Sequence, residues 1–229
     1  MTKQKIIDLF GYKAGRKLYN LLYSSCANFC CIVKDCLGIS PSGNPNLLLN
    51  QQGDWVTQSG PQGLFAQTGN STIISGTTVE TSLINGGVGT LTVPANGFQV
   101  GDSFRAIFGG VINAANNQTI RIRSRTNGVV LLDSGVQPIS NVVNDVWSLN
   151  IDFTIRQIGG ATVASIVSLG GFHYTKTVNA TIQGFAFNVV NSTTFDTTIP
   201  SILDVTVQWG SNNAGNNIYS DIFILNKTY

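Results

Sequence analysis

Three arginines form the group in this chain whose residue type and spacing best suit a binding site. Arg121, Arg123 and Arg125 stand at every second position and alternate with Ile120 and Ile122. On a β-strand this spacing places the three guanidinium groups on one face, about 7 Å apart. Such a row can bind carboxylate, phosphate or sialic-acid-like groups in bidentate geometry. It can also form ion pairs with acids of a second copy or lie on a solvated face, and the sequence leaves these interpretations open.

Residues that could carry out catalysis are few. His173 is the single histidine, which excludes multi-histidine metal sites, and no G-x-S-x-G motif supports a nucleophile beside it. A glycosidase needs two acids brought together, but most candidate acids lie at predicted turns or on the polar face of predicted strands. These acids are Asp102, Asp133, Asp145, Asp152, Asp196 and Asp204. We therefore expect no catalytic residue, no metal site, no cofactor and no enzymatic activity.

The four cysteines are confined to the N-terminal region, at positions 26, 30, 31 and 36. Their C-x3-C-C-x4-C spacing differs from the short pairs of zinc sites, and no histidine lies nearby. On a helix, Cys26 and Cys30 share one face. Small buried core residues, a disulfide to a neighbouring chain and acylation are the interpretations left open.

Residues 1–38 are predicted to form a basic, cysteine-containing apolar arm. Residues 1–36 carry six Lys or Arg and two Asp, a net charge of +4. The break at Gly11-Tyr12-Lys13 argues against a cleavable secretion signal, and residues 18–33 fall short of the roughly 20 apolar residues that span a bilayer. We expect an apolar helix that contacts a partner protein, or a membrane or scaffold surface. The predicted contact residues are Leu18, Leu21, Leu22, Cys26, Phe29 and Cys30.

Residues 39–72 are predicted to form an extended connector, because Pro41, Gly43 and Pro45 stop helices and favour turns. Residues 73–229 show the period-two pattern of antiparallel strands. The clearest run, 147–156, places five apolar side chains on one buried face: Trp147, Leu149, Ile151, Phe153 and Ile155. An Asn127-Gly128 turn predicts a hairpin between two such runs.

Ten apolar runs in this region predict nine or ten strands without intervening helices. They lie near 77–80, 88–93, 103–113, 118–125, 128–133, 146–157, 162–175, 181–190, 201–209 and 217–226. This pattern favours an all-β fold, an antiparallel jelly-roll β-sandwich preceded by a helical or extended arm.

The composition restricts the partners of this β body. The chain has 229 residues, of which 10% are charged, against about 25% in typical domains. Residues 37–229 carry seven basic and nine acidic side chains. A nucleic-acid binder needs a basic stripe that displaces counterions, so we expect no nucleic-acid partner. Low charge also leaves sheet edges little protection by repulsion, so we expect the body to be buried against copies of itself.

Four segments of the body carry a resemblance to known proteins. They are GTLTVPANGFQVGDSF (89–104), QTIRIR (118–123), WSLNIDF (147–153) and IYSDIFILNK (218–227). Together they resemble the jelly-roll virion proteins of large DNA viruses and the related tumour-necrosis-factor-like head domains of viral fibres. The resemblance covers roughly residues 75–229 and leaves the arm unexplained.

The resemblance implies a virion structural role. One form is a capsid vertex or minor capsid component, assembled in the host cytoplasm, pentameric at a vertex and in contact with other capsid proteins. The other is a trimeric fibre head that binds a host receptor. We favour the capsid form because a distal fibre head has little use for a basic apolar arm. A carbohydrate-binding module or hydrolase on a β-sandwich is a more distant third interpretation.

Overall fold

The computed structural model of the chain describes residues 47–49, 55–57, 62–84, 92–191 and 194–229. The chain divides into two compact units, Met1–Ser59 and Gly60–Tyr229. In the first unit, β1 (Leu47–Leu49) pairs antiparallel with β2 (Trp55–Thr57). Residues 1–38, the four cysteines and the predicted arm contacts all lie outside the described residues. Those predictions remain untested.

The second unit consists of antiparallel strands and one short 3₁₀ turn, Val178–Ala180, in its described residues. Four strands near its start are short: β3 (Gln62–Ala66), β4 (Ile74–Ser75), β5 (Thr81–Ser82) and β6 (Thr92–Val93). A fifth short strand, β10 (Gln137–Ile139), lies near its middle. The longer strands are β7 (Ser103–Ala114), β8 (Gln118–Thr126), β9 (Val129–Asp133), β11 (Val142–Gln157), β12 (Ser165–Thr175), β13 (Ile182–Asn191), β14 (Ser201–Trp209) and β15 (Asn217–Lys227). Within the described ranges, no helix has the length and hydropathy needed to cross a membrane.

These strands form two sheets that pack as a sandwich. The seven-stranded sheet has the order β13-β12-β11-β7-β15-β3, with β4 also paired to β15. The six-stranded sheet has the order β10-β8-β14-β5, with β9 paired to β8 and β6 to β14. The prediction of an all-β antiparallel sandwich is confirmed.

The strand pairing follows the nesting of a jelly roll. From the outside of the chain inwards, β3 pairs with β15, β5 with β14, β7 with β11 and β8 with β10. The pairs β7 with β15 and β8 with β14 then join these nested pairs into two sheets. An additional hairpin, β12 with β13, lies between β11 and β14 in the chain and widens the seven-stranded sheet.

Alternation of apolar and polar residues builds the core between the sheets. All five side chains predicted on the inner face of β11, from Trp147 to Ile155, are buried. The neighbouring strands β7 and β15 add large aromatic residues, and the rings of Phe108 and Phe223 stack with centroids 4.3 Å apart. Trp209 contributes the largest fully buried side chain. Because each strand sends alternate residues into this layer, the other half must form the outer faces.

The predicted hairpin at Asn127-Gly128 is confirmed. Asn127 and Gly128 have φ values of 49° and 81°, the left-handed conformation that a two-residue turn of this kind requires. β8 and β9 then pair from Thr126 and Val129 onwards, with a register shift after Arg125. The local turn signal therefore fixed where this hairpin begins.

Two details of the strand arrangement were not anticipated from the sequence. β3 and β4 add to the edge of the seven-stranded sheet beside β15. Residues 77–80 form no strand and connect β4 to β5 instead. In this connection the Val79 N–H donates to Thr77 Oγ1 at 3.0 Å. The turn brings Glu80 over the six-stranded sheet.

The chain enters the sandwich at one end, and three connections between strands lie at the other. At the entry end, β3 begins opposite Lys227, and the Ser103 N–H donates to the Tyr229 carbonyl at 3.1 Å. At the far end lie the connections β7–β8, β10–β11 and β12–β13. β7 has 12 residues, so it spans about 36 Å between these ends. The chain therefore enters the jelly roll far from those three connections.

Candidate functional site

The three arginines share the outer face of β8, as the sequence predicts, and each meets an acid of the same chain. The Arg121 guanidinium donates to both carboxylate oxygens of Asp133. Arg125 donates to both carboxylate oxygens of Glu80, at 2.5 and 2.9 Å. Arg123, between them, donates to Glu80 at 2.5 Å and to Asp133 at 3.3 Å. We call these five residues the arginine ladder.

The ladder is largely covered. The Arg123 side chain is only 8% exposed, and its Nη1 also donates to Gln208 Oε1 at 3.2 Å. Thr206 on β14 donates from its hydroxyl to Glu80 at 2.5 Å. Three guanidinium groups face two carboxylates here, so a single positive charge is in excess.

The acids of the ladder are held in their ionised form. Burial raises the pKa of Asp133, but hydrogen bonds from Arg121 and the Gly135 N–H, with the charges of Arg121 and Arg123, outweigh it and lower the pKa to about 2. Burial likewise opposes ionisation of Glu80, and its bonds to Arg125 and Thr206 still lower the pKa. The carboxylates thus offset two of the three arginine charges from within the chain.

Sequence reasoning did not find these partners. It assigned any acids opposite the row to a second copy, whereas the hairpin supplies Asp133 and the β4–β5 connection supplies Glu80. The short separation between Arg123 and Asp133 could have suggested the first, since both flank one predicted turn. Glu80 is 43 residues from Arg123 and carries no local signal. A role of the row toward a ligand or a second copy stays a prediction.

The outer face of the seven-stranded sheet has the opposite character. The strand registers align its outward residues in cross-strand rows. The rows contain Val190, Val167 and Thr154; Asn188, Leu169, Asp152, Arg105 and Asn226; Ala186, Gly171, Asn150, Ile107 and Ile224; Gly184, His173, Ser148, Gly109 and Ile222; and Ile182, Thr175, Val146, Val111 and Tyr219. We call these residues the apolar face.

Charged side chains are few on the apolar face. Arg105 and Asp152 pair with each other at 2.7 Å, and the exposed Arg156 on β11 and Asp221 on β15 lie on the same sheet. Several large apolar residues are widely exposed, among them Ile182 at 76%, Val146 at 64% and Leu169 at 53%. Exposed apolar residues gathered on one face of a sheet are a feature of surfaces that contact other proteins.

The edge of this sheet at β13 is also unprotected by charge. β13 is 10 residues long, and its sequence, IQGFAFNVVN, contains neither a charged residue nor proline. Natural proteins usually shield such edges with lysine, proline or a bulge, because the free backbone groups can pair with another chain. The β13 edge and the neighbouring strand β12 together present a border without Asp, Glu, Lys or Arg side chains.

Of the residues considered for catalysis, the histidine is exposed and two of the acids have partners within the chain. His173 is exposed on the apolar face. Asp102 pairs with Lys227 at 2.6 Å, and Asp204 accepts from Ser82 Oγ at 2.5 Å. Burial raises the pKa of Asp204, and the bond from Ser82 only partly offsets it. Among the described residues, no group of three or more His, Cys, Asp or Glu side chains is placed to hold a metal ion.

A small apolar cavity lies between the sheets toward the entry end. Its volume is about 60 Å³, and aromatic side chains such as Phe98, Phe104 and Phe195 line it. The hydroxyls of Thr126 and Ser201 are buried beside it without a hydrogen-bond partner among the described residues. A space of this size holds a few water molecules and is too small for a sugar or a peptide side-chain cluster.

Comparison with known proteins leaves the family open. No protein-family model matches the chain, and no curated protein matches it. Among solved structures, it is similar to the CBM2 module of the evolved Dit of Lactobacillus casei BL23 phage J-1. The two align at 10% identity over 61% of this chain and 68% of that chain, with a TM-score of 0.29. A TM-score of this size does not establish a common fold.

Proposed function

We propose that this chain is a virion structural protein, a capsid vertex or minor capsid component, that self-associates through the apolar face of its jelly roll. The basic, cysteine-containing residues 1–38 then tether it inside the particle, against other capsid proteins or an internal membrane or scaffold. In this role it is a building block rather than an enzyme, located in the capsid and assembled in the host cytoplasm.

One observation carries this proposal: the seven-stranded sheet exposes several large apolar side chains on a face with few charges, and it ends in an edge strand without charged residues. A subunit that closes into a ring needs extended surfaces that lose water on contact with the next copy. Burying exposed side chains such as Val146 and Leu169 would contribute about 25 cal/mol for each Å² of apolar surface removed from water. The opposite outer face, with its ion pairs already satisfied, gives less reason for association.

A second candidate function is a fibre-type head that attaches the particle to a host. It is favoured by the placement of the chain entry at one end of the sandwich and of three connections at the other. A head carried on an N-terminal stalk would present those connections outward. Such a head is expected to be a trimer, whereas a vertex protein is expected to be a pentamer.

Native mass spectrometry of the full chain tests the proposal. Val146 on the apolar face and Val136 between β9 and β10 are exposed to nearly the same extent, 64% and 65%. We expect Val146→Lys to convert a closed oligomer into monomers at the same concentration, because a lysine ammonium would be buried in the contact without a partner. Val136→Lys should leave the oligomer intact.

The measured mass also separates the two candidates. Five copies support the vertex protein and three support the fibre head. A monomeric natural chain would contradict self-association, and so would equal oligomer masses for Val146→Lys and Val136→Lys.

A further inference from the structure

We propose that a cleft at the far end of the sandwich binds an oligosaccharide that carries a carboxylate group. The cleft opens where the two sheets part, between β10 of one sheet and the inner side of the β12–β13 hairpin of the other. Its volume is about 730 Å³, within the roughly 300–1,000 Å³ typical of ligand sites. The lining residues on which the proposal rests are Asn117, Ser140, Tyr174, Lys176, Gln183 and Phe185.

A hydrogen-bonded group fixes one wall of the cleft. Gln183 Oε1 accepts from Ser140 Oγ at 2.6 Å and from Tyr174 Oη at 2.9 Å. The Ser140 N–H in turn donates to Tyr174 Oη at 3.0 Å. These bonds hold the Gln183 side chain in place before any ligand arrives, which lowers the entropy cost of binding.

Several polar groups of the cleft have no partner among the described residues. The Gln183 amide nitrogen and the Asn117 side chain make no hydrogen bond there, and Lys176 makes no ion pair. The nearby carboxylate of Asp145 accepts instead from Thr177 Oγ1 at 2.7 Å. Donors therefore remain available beside a wall that is already fixed.

The chemistry of these groups matches a sugar. Asparagine and glutamine amides can both donate and accept, as the hydroxyls of a sugar ring do. The half-buried ring of Phe185 offers an apolar surface for the C–H face of such a ring. Lys176 is the single charged residue of the lining, and no acid accompanies it. A carboxylate near its ammonium would gain a charge-assisted hydrogen bond.

Other parts of the molecule suit this ligand less. The arginine ladder already holds two carboxylates of its own chain, so an incoming acid would have to displace them. The interior cavity, about 60 Å³, cannot admit a sugar ring. The cleft also lies at the end opposite to the chain entry, where a tethered protein would present it. The inference concerns a site within one chain and does not depend on self-association.

A glycan array tests the proposal with the fluorescently labelled full chain. The array should hold neutral, N-acetylated and carboxylate-bearing oligosaccharides, and the strongest binder is then titrated calorimetrically. Gln183→Glu keeps both acceptor bonds but replaces the free amide nitrogen with a charged oxygen. Lys176→Met removes the cation. The control is Gln157→Glu, which makes the same change at an exposed position at the entry end.

We expect the natural chain and Gln157→Glu to bind carboxylate-bearing glycans, and each cleft variant to weaken that binding at least tenfold. Lys176→Met should also lose the preference for acidic over neutral glycans. Native masses of the same samples should stay equal, which separates failure of this site from failure of self-association. The proposal is overturned if the natural chain binds no glycan on the array, or if the two cleft variants bind as well as the control.

Discussion

The two outer faces of the jelly roll differ in whether their side chains have partners within the chain. On the six-stranded sheet, three arginines and two acids form the arginine ladder, covered by Thr206 and Gln208. On the seven-stranded sheet, valine, isoleucine, leucine and glycine stand exposed, with one surface ion pair, Arg105 with Asp152. On the six-stranded sheet, the charged side chains form ion pairs with one another. On the seven-stranded sheet, apolar side chains remain exposed to water.

Because of this difference, we expect one face to affect the stability of a single copy and the other to affect association between copies. A covered ion-pair network costs a great deal to break, because the remaining charges stay buried without a partner. An exposed apolar surface contributes little to the stability of one copy, but it favours contact with another. We therefore expect substitutions in the ladder to change unfolding, and substitutions on the apolar face to change assembly.

The same substitution on both faces should give the largest contrast. Arg123→Met removes the hydrogen bonds of Arg123 to Glu80 and Asp133 while Arg121 and Arg125 still pair with these acids, so we expect it to lower the free energy of unfolding by about 2 kcal/mol. Arg105→Met removes an exposed pair, whose side chains are 54% and 41% exposed, and should cost less than about 0.5 kcal/mol. Urea denaturation of both variants measures the difference.

Equal losses in these two variants would contradict the division between the faces. A loss of oligomer mass in Arg123→Met without a loss of stability would instead place the ladder in a contact between copies.

Acid should weaken the ladder in a defined pH window. Because the pKa of Asp133 falls from its ordinary value of 3.8 to about 2 in the folded chain, its contribution to stability is complete above about pH 4 and is lost as the pH drops through 2. The lowered pKa of Glu80 acts in the same direction. The raised pKa of Asp204 acts in the opposite direction.

Melting temperatures between pH 5 and pH 2 measure this effect. We expect Asp133→Asn to melt lower than the natural chain at pH 5 and to lose less stability on acidification, since it lacks the titrating carboxylate. Parallel curves for the two proteins would rule out Asp133 as a source of the acid sensitivity.

A substitution in the turn between β8 and β9 should have the smallest effect on stability. Gly128 has φ +81° with open space around its Cα, so Gly128→Ala costs backbone strain alone, about 1 kcal/mol. Gly160 also has open space and no left-handed φ, and Gly160→Ala should change stability by less than about 0.5 kcal/mol. Thermal unfolding compares the two, and an unchanged melting temperature for Gly128→Ala would show that the turn relaxes.

Most of the fold could be predicted from local patterns. Period-two alternation located β7, β8, β9 and the five strands from β11 to β15, and it identified the buried face of β11 residue by residue. The strands β4 and β10 escaped prediction because two or three residues carry too little pattern, and β3 lies in the segment predicted as an extended connector. The nested pairing of the jelly roll and the widening of one sheet by β12 and β13 depend on contacts between distant segments.

The sequence by itself determined that Arg121, Arg123 and Arg125 share a face, because alternate residues of a strand point the same way. Only the tertiary structure decided what they meet. A one-residue register shift between β8 and β9 brings Asp133 opposite Arg123, since such a shift moves a side chain to the other face of a sheet. The connection before β5 then places Glu80 over the row. Local periodicity fixes the direction of a side chain, whereas its partner depends on how separate strands are paired and covered.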